Sequence, residues 1–216
     1  MICTSTLPAT VLRRGILAGT ALTTMLVLSA CGGSSTATSP GSGMGPGTMM
    51  SSSARTGTAF NGADLSFVQA MIPHHRQAVQ MAALADGRAA NAKVKDLAAK
   101  IKAAQQPEID TMNAWLTAWG EPTPSMSMSA GMPGMNNGAM PGMMSAADMS
   151  TLTAAKGAAF DKQFLTMMIS HHEGAITMAT QETRQGSNAD AKALAQKIIT
   201  DQQAEITTMK GVLALL

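Results

Sequence analysis

The sequence predicts an all-α protein, and three observations carry that reading. Aromatic residues make up only 3% of the 216 residues, with no Tyr, so side chains that favour strands are scarce. Apolar residues recur at three- and four-residue steps over long stretches, the period of a helix face. A block of more than 45 residues also occurs twice at a constant offset of 97, which marks a duplicated unit. Each unit reads as two helices joined by a short turn. Two such hairpins give a four-helix bundle of up-down character.

Residues 1–30 read as an export signal. Arg13 and Arg14 precede an apolar run from Ile16 to Leu28, which is shorter than the ~20 residues a membrane-spanning helix needs. Leu28-Ser29-Ala30-Cys31 resembles a bacterial lipobox, with Cys31 as the lipidated new N-terminus. Removal of Arg13 and Arg14 lowers Lys+Arg from 15 to 13, equal to the 13 Asp+Glu, so the mature chain is formally neutral. Cys3 leaves as well, and no free thiol remains. Residues 31–59 form a Gly/Ser/Thr/Pro tether that includes Met44, Met49 and Met50, with too little apolar area to order itself.

The bundle occupies 60–216, as a hairpin at 60–120, a linker at 121–149 and a second hairpin at 150–216. In the first hairpin the helical period breaks at Gly87 and resumes through Val94, Leu97, Ile101, Ile109 and Leu116. In the second, Phe160, Phe164, Met168, His171, Ala175 and Met178 share one face. Gly186-Ser187-Asn188 interrupts that helix, and Leu194, Ile198, Ile206, Met209 and Leu213 follow. Pro73 and Pro107 stand inside their helices and are expected to kink them. The linker contains Met126, Met128, Met132, Met135, Met140, Met143, Met144 and Met149 among Gly, Pro, Ser and Asn. Its composition predicts disorder when no ligand is bound.

All four histidines lie at equivalent repeat positions, as His74-His75 and His171-His172. Met71, His74, Ala78 and Met81 follow one another on one helix face, and the adjacent His75 points about 100° away. One ring of each pair can therefore face the core while the other faces a groove or a neighbouring helix. Counting back from the turns places the pairs level with Gln105/Gln106, Glu108 and Met112 in the first hairpin, Gln106 lying level with His74. Gln202/Gln203, Glu205 and Met209 are their counterparts, with Gln203 level with His171. A carboxylate or amide there can accept a ring N–H and fix the tautomer. Imidazole and thioether together select Cu(I), or Ag(I) by the same softness, over oxygen-seeking ions.

The motif Asp-x-x-Phe-x-x-x-Met-Ile-x-His-His-x-x-Ala-x-x-Met-Ala runs from Asp64 to Ala82 and again from Asp161 to Ala179. With the paired Gln-Gln-x-Glu-Ile-x-x-Met blocks, it resembles the bacterial domain-of-unknown-function family 305. The resemblance implies a ferritin-like four-helix bundle and, for some members, copper binding and copper tolerance outside the cytoplasm. It implies Met71, His74, His75, Met81, Met168, His171, His172 and Met178 as metal ligands. The expected protein is an exported lipoprotein on the outer face of the cytoplasmic membrane. Its expected partners are a copper ion and the membrane, not nucleic acid, since charged residues are only 13% and form no basic stripe.

No Ser/His/Asp arrangement or phosphate-binding loop suggests catalysis. Asp64, Asp161, Glu108 and Glu205 raise a second possibility, a ferritin-like di-iron or di-manganese oxidase. Such sites use Glu-x-x-His on one helix face, which is absent here. A metal-free helical interaction module is the third.

Overall fold

A computed structural model describes residues 59–124 and 140–216. The elements are α1 (Gly62–Ala83), α2 (Ala85–Arg88), α3 (Ala92–Trp119), α4 (Ala146–Ala154), α5 (Gly157–Gln185) and α6 (Ala189–Leu213). The described residues are thus all-α, with four long helices and two short ones. The export signal, Cys31, the tether through residue 58, and Met126, Met128, Met132 and Met135 lie outside the described residues.

Local chemistry sets the helix ends. Asn61 accepts the Ala63 and Asp64 N–H groups while Asp64 accepts the Asn61 N–H, a reciprocal cap that starts α1. Asn91 caps α3, and Asn188 caps α6 at the equivalent repeat position. α3 stops where Gly120 adopts φ 75°, a left-handed conformation that glycine takes without a side-chain clash. Pro73 and Pro107 end neither helix: α1 and α3 continue through them.

α3 packs along α1, α6 along α5, and α1 against α5, whereas α3 and α6 barely touch. Hydrogen bonds at the helix ends make α1 and α5 antiparallel. Asp64, in the first turn of α1, accepts the backbone N–H groups of Ser187 and Asn188 and the Ser187 hydroxyl, just beyond α5. Asp161, near the start of α5, accepts the N–H groups of Ala90 and Asn91, just before α3. Each hairpin therefore clasps the turn of the other. The two aspartates sit at opposite ends of the α1–α5 pair, so they cannot share one ion as the di-metal alternative requires.

The clasps are not identical. Glu182 is buried beside Asp64, where its repeat counterpart is Ala85. A Cβ on Gly186 would lie 2.1 Å from Glu182 Oε1 and 2.8 Å from Asp64 Oδ1, so glycine there leaves room for both carboxyls. Burial works against the charge on Asp64, but the N–H groups of Asn61, Asn188 and Ser187, with the Glu182 carboxyl, outweigh it and hold its pKa low. Burial and the neighbouring Asp64 push the Glu182 pKa up to about 8, with Lys192 opposing.

Two apolar clusters fill the core, and each draws on both hairpins. One includes Met81, Leu97, Ile101, Phe160, Phe164, Met168 and Met209. The other includes Phe67, Met71, Ile72, Ile109, Met112 and Ile198, with Met178 packed against it. Residues 140–149, at the end of the linker, depart from the disorder that its composition predicts. Residues 140–145 form an ordered strap, and α4 follows, capped by Ser145 and Asp148 and anchored by the buried Leu152. Met144 and Met149 pack on the first cluster, which is how thioethers among Gly and Pro gain enough apolar contact to order this end.

Candidate metal centre

Antiparallel packing of α1 and α5 brings His74 and His171 together, with ring centroids 3.7 Å apart and planes inclined by 37°. Their neighbours turn toward the outer helices. His75 Nε2 lies 2.9 Å from Glu108 Oε2 on α3, and His172 Nε2 lies 2.7 Å from Glu205 Oε2 on α6. All four rings are buried, so neither pair sends one ring to an outer groove. Lys197 on α6, itself exposed, adds a bond of 3.0 Å to Glu108 Oε1 on α3.

These partners dictate the tautomers. A carboxylate or a backbone carbonyl only accepts, so His75 and His172 donate from Nε2, and His74 donates from Nε2 to the Pro141 carbonyl at 3.0 Å. In the neutral rings Nδ1 then carries the lone pair. Nδ1 of all four histidines, and Nε2 of His171, have no hydrogen-bond partner although they are buried. Leaving one such atom unpaired costs about 1–3 kcal/mol. Neutral His171 keeps a proton on one of its two nitrogens, so four of the five carry lone pairs, and together these fit a ligand that accepts nitrogen lone pairs.

Electrostatics keeps the inner pair neutral. Burial lowers the His74 pKa to about 3, aided by His75 and opposed by the Pro141 hydrogen bond. Burial also drives His171 well below the ordinary histidine range, with His74, His172 and His75 adding to the shift. Burial works to raise the Glu108 pKa, yet the His75 and Lys197 contacts outweigh it and keep the carboxylate acidic.

Methionines stand on both sides of the histidine layer. Met71 and Met112 are fully buried on one side, with half-buried Met178, and Met81, Met168 and Met209 are fully buried on the other. These methionines thus divide between the two clusters across hairpins: Met71 shares one with Met178, and Met81 shares the other with Met168. Among the described residues no three His, Cys, Asp or Glu side chains form a metal-binding group, so an ion held here must recruit sulfur or fewer ligands. Gln106 and Gln203 need correcting as supporting groups. Both are exposed, and Gln106 bonds Asp110 instead. The buried amides are Gln105 and Gln202, one residue earlier and therefore about 100° around the helix.

The sequence pattern described as domain of unknown function DUF305 matches residues 64–213. The chain belongs to the DUF305 family. A DUF305 protein from Streptomyces coelicolor, assigned as secreted, is similar in structure with TM-score 0.62 and 31% identity, covering 70% of this chain and 92% of that one. A DUF305 fragment from Deinococcus radiodurans gives TM-score 0.62 and 32% identity, covering 72% of this chain and 98% of that one. CopM in its Cu(II)-bound form gives TM-score 0.60 and 34% identity, covering 70% of this chain and 95% of that one. CopM structures with Cu(I) and with Ag are similar too. No curated protein matches the chain.

Some features of this DUF305 site have little sequence signal. Gln105 and Gln202 could have been chosen over their neighbours, because Ala98, Ile101, Gln105, Glu108 and Met112 keep the buried three- and four-residue step. Pro141 carries no such signal, since its contact with His74 spans 67 residues.

Proposed function

We propose that this chain is an exported, lipid-anchored protein that binds copper as Cu(I), through His and Met side chains of a ferritin-like helical bundle, for sequestration or tolerance. The observation that carries this reading is the buried layer of four imidazoles with five unpartnered ring nitrogens between methionine-bearing core faces. Neutral nitrogen and thioether donors suit a soft monovalent ion. Zinc would ordinarily draw on Cys, His and carboxylate. Here Glu108 and Glu205 are engaged by ring N–H groups, an arrangement that orients the rings and raises their basicity. The candidate ligands are His74, His75, His171 and His172 with Met71, Met81, Met168 and Met178. The CopM structures with Cu(II), Cu(I) and Ag support copper or silver as the cargo.

Export rests on the signal-like residues 1–30, and anchoring rests on Cys31. No helix among the described residues is long and apolar enough to cross a membrane.

The test is anaerobic Cu(I) titration against a competing chelator, comparing the mature protein with a variant carrying all four His→Ala changes. Circular dichroism establishes that the helices persist in the variant. The expected result is loss of the tight bundle sites. Unchanged stoichiometry and affinity would overturn the proposal.

A further inference from the structure

The strap at residues 140–145 crosses the α1–α5 seam over the facing His74–His171 pair. Its Pro141 carbonyl takes the His74 Nε2 proton at 3.0 Å. Gln77 on α1 grips it by two bonds of 2.8 Å, donating to the Met144 carbonyl and accepting the Met144 N–H. On α5 the fit is backbone to backbone. A Cβ on Gly174 would lie 1.9 Å from the Pro141 oxygen, and a Cβ on Gly142, at φ 76°, would lie 2.6 Å from the Ser170 carbonyl. Gly174 and Gln77 are repeat counterparts at the offset of 97. The duplicated unit thus breaks its own symmetry where the strap crosses, with a gripping amide on one helix and a missing side chain on the other.

We infer that this strap is a removable cover that meters the passage of a soft cation to and from the His74–His171 pair. The inference rests on the copper-binding reading above. Three side-chain hydrogen bonds and half-buried Met143 and Met144 hold the strap, while the helices beneath it are tied into both core clusters. A segment with few buried contacts opens at far lower free energy than the bundle. Opening it frees His74 Nε2 and uncovers rings that are otherwise sealed. The strap also carries Met140, Met143 and Met144, so its own thioethers stand at the entrance and can take an ion in transit.

Gly174→Ala and Gln77→Ala test this in the full chain. The first adds a methyl group where the Pro141 oxygen must sit while improving helix propensity. The second removes the grip without adding bulk. Hydrogen exchange at Met143 and Met144 reads the strap, and stopped-flow transfer of Cu(I) to a chelator reads the gate. Both variants should lose protection at residues 143 and 144 and release Cu(I) at least tenfold faster, with the amount bound at saturation unchanged. Equal release rates in wild type and both variants, with protection lost, would overturn the gate and leave copper binding standing. Absence of Cu(I) binding by the wild type would overturn both readings.

Discussion

Glu182→Gln is expected to change how stability depends on pH while leaving the fold intact. In the folded protein burial and the adjacent Asp64 charge raise the Glu182 pKa from 4.5 to about 8, with Lys192 the opposing cation nearby. The folded state therefore keeps a proton that the unfolded chain releases above pH 4.5. The Glu182 contribution to stability falls as pH rises from about 4.5 to about 8, because at this site the native state holds a proton that the unfolded state has lost over that interval. At about 1.4 kcal/mol per tenfold change, the ceiling on this loss is roughly 5 kcal/mol. Side-chain relaxation and water entry trim it, and a fall of about 2–3 kcal/mol is expected. Asp64 acts in the opposite sense: its lowered pKa contributes stability above about 3.8 that is lost on acidification below that value. Gln at 182 retains a donor toward Asp64 and has no proton to lose. Urea unfolding of the apo protein between pH 5 and 9 should show wild type losing stability relative to Glu182→Gln as pH rises to about 8, while the rise that the buried neutral His74 and His171 contribute below about 6.5 is common to both proteins and cancels in the difference. Parallel profiles would refute the assignment of this loss to Glu182.

Two further substitutions separate orientation of the rings from integrity of the fold. Glu205→Ala removes the acceptor that fixes the His172 tautomer, and Cu(I) affinity measured by chelator competition should fall about 10–100-fold. Asp161→Ala leaves the Ala90 and Asn91 N–H groups without their acceptor, and urea melts should show a loss of about 2–3 kcal/mol. Its copper stoichiometry should not change, since Asp161 lies at the bundle end away from the histidine layer.

The offset of 97 made both helical hairpins, their turns and the equivalence of the histidine pairs legible, because each rests on local period and repetition. The convergence of His74 on His171 was not legible. It depends on the antiparallel packing of α1 against α5, which the exchanged Asp64 and Asp161 clasps secure over sequence separations of 123 and 70 residues. For the same reason Met71 shares a core cluster with Met178, where helix-face counting assigned Met71 and Met81 together. The strap escaped because composition measures how much a segment can bury on its own. Residues 140–145 are ordered by surfaces that α1 and α5 provide, through Gln77 and through the absence of a side chain at Gly174.

The exchanged aspartates have a bearing on the duplication. In a lone hairpin the carboxylate at its entrance and the bend at its far end are a full helix length apart, so neither can satisfy the other. Two copies set head to tail satisfy both at once. The repeated sequence thus holds within one polypeptide an arrangement that two identical subunits would otherwise have to supply, with equivalent histidines facing one another. One polypeptide can also carry different residues at equivalent places, an amide hook at Gln77 and no side chain at Gly174, a division of labour closed to identical subunits.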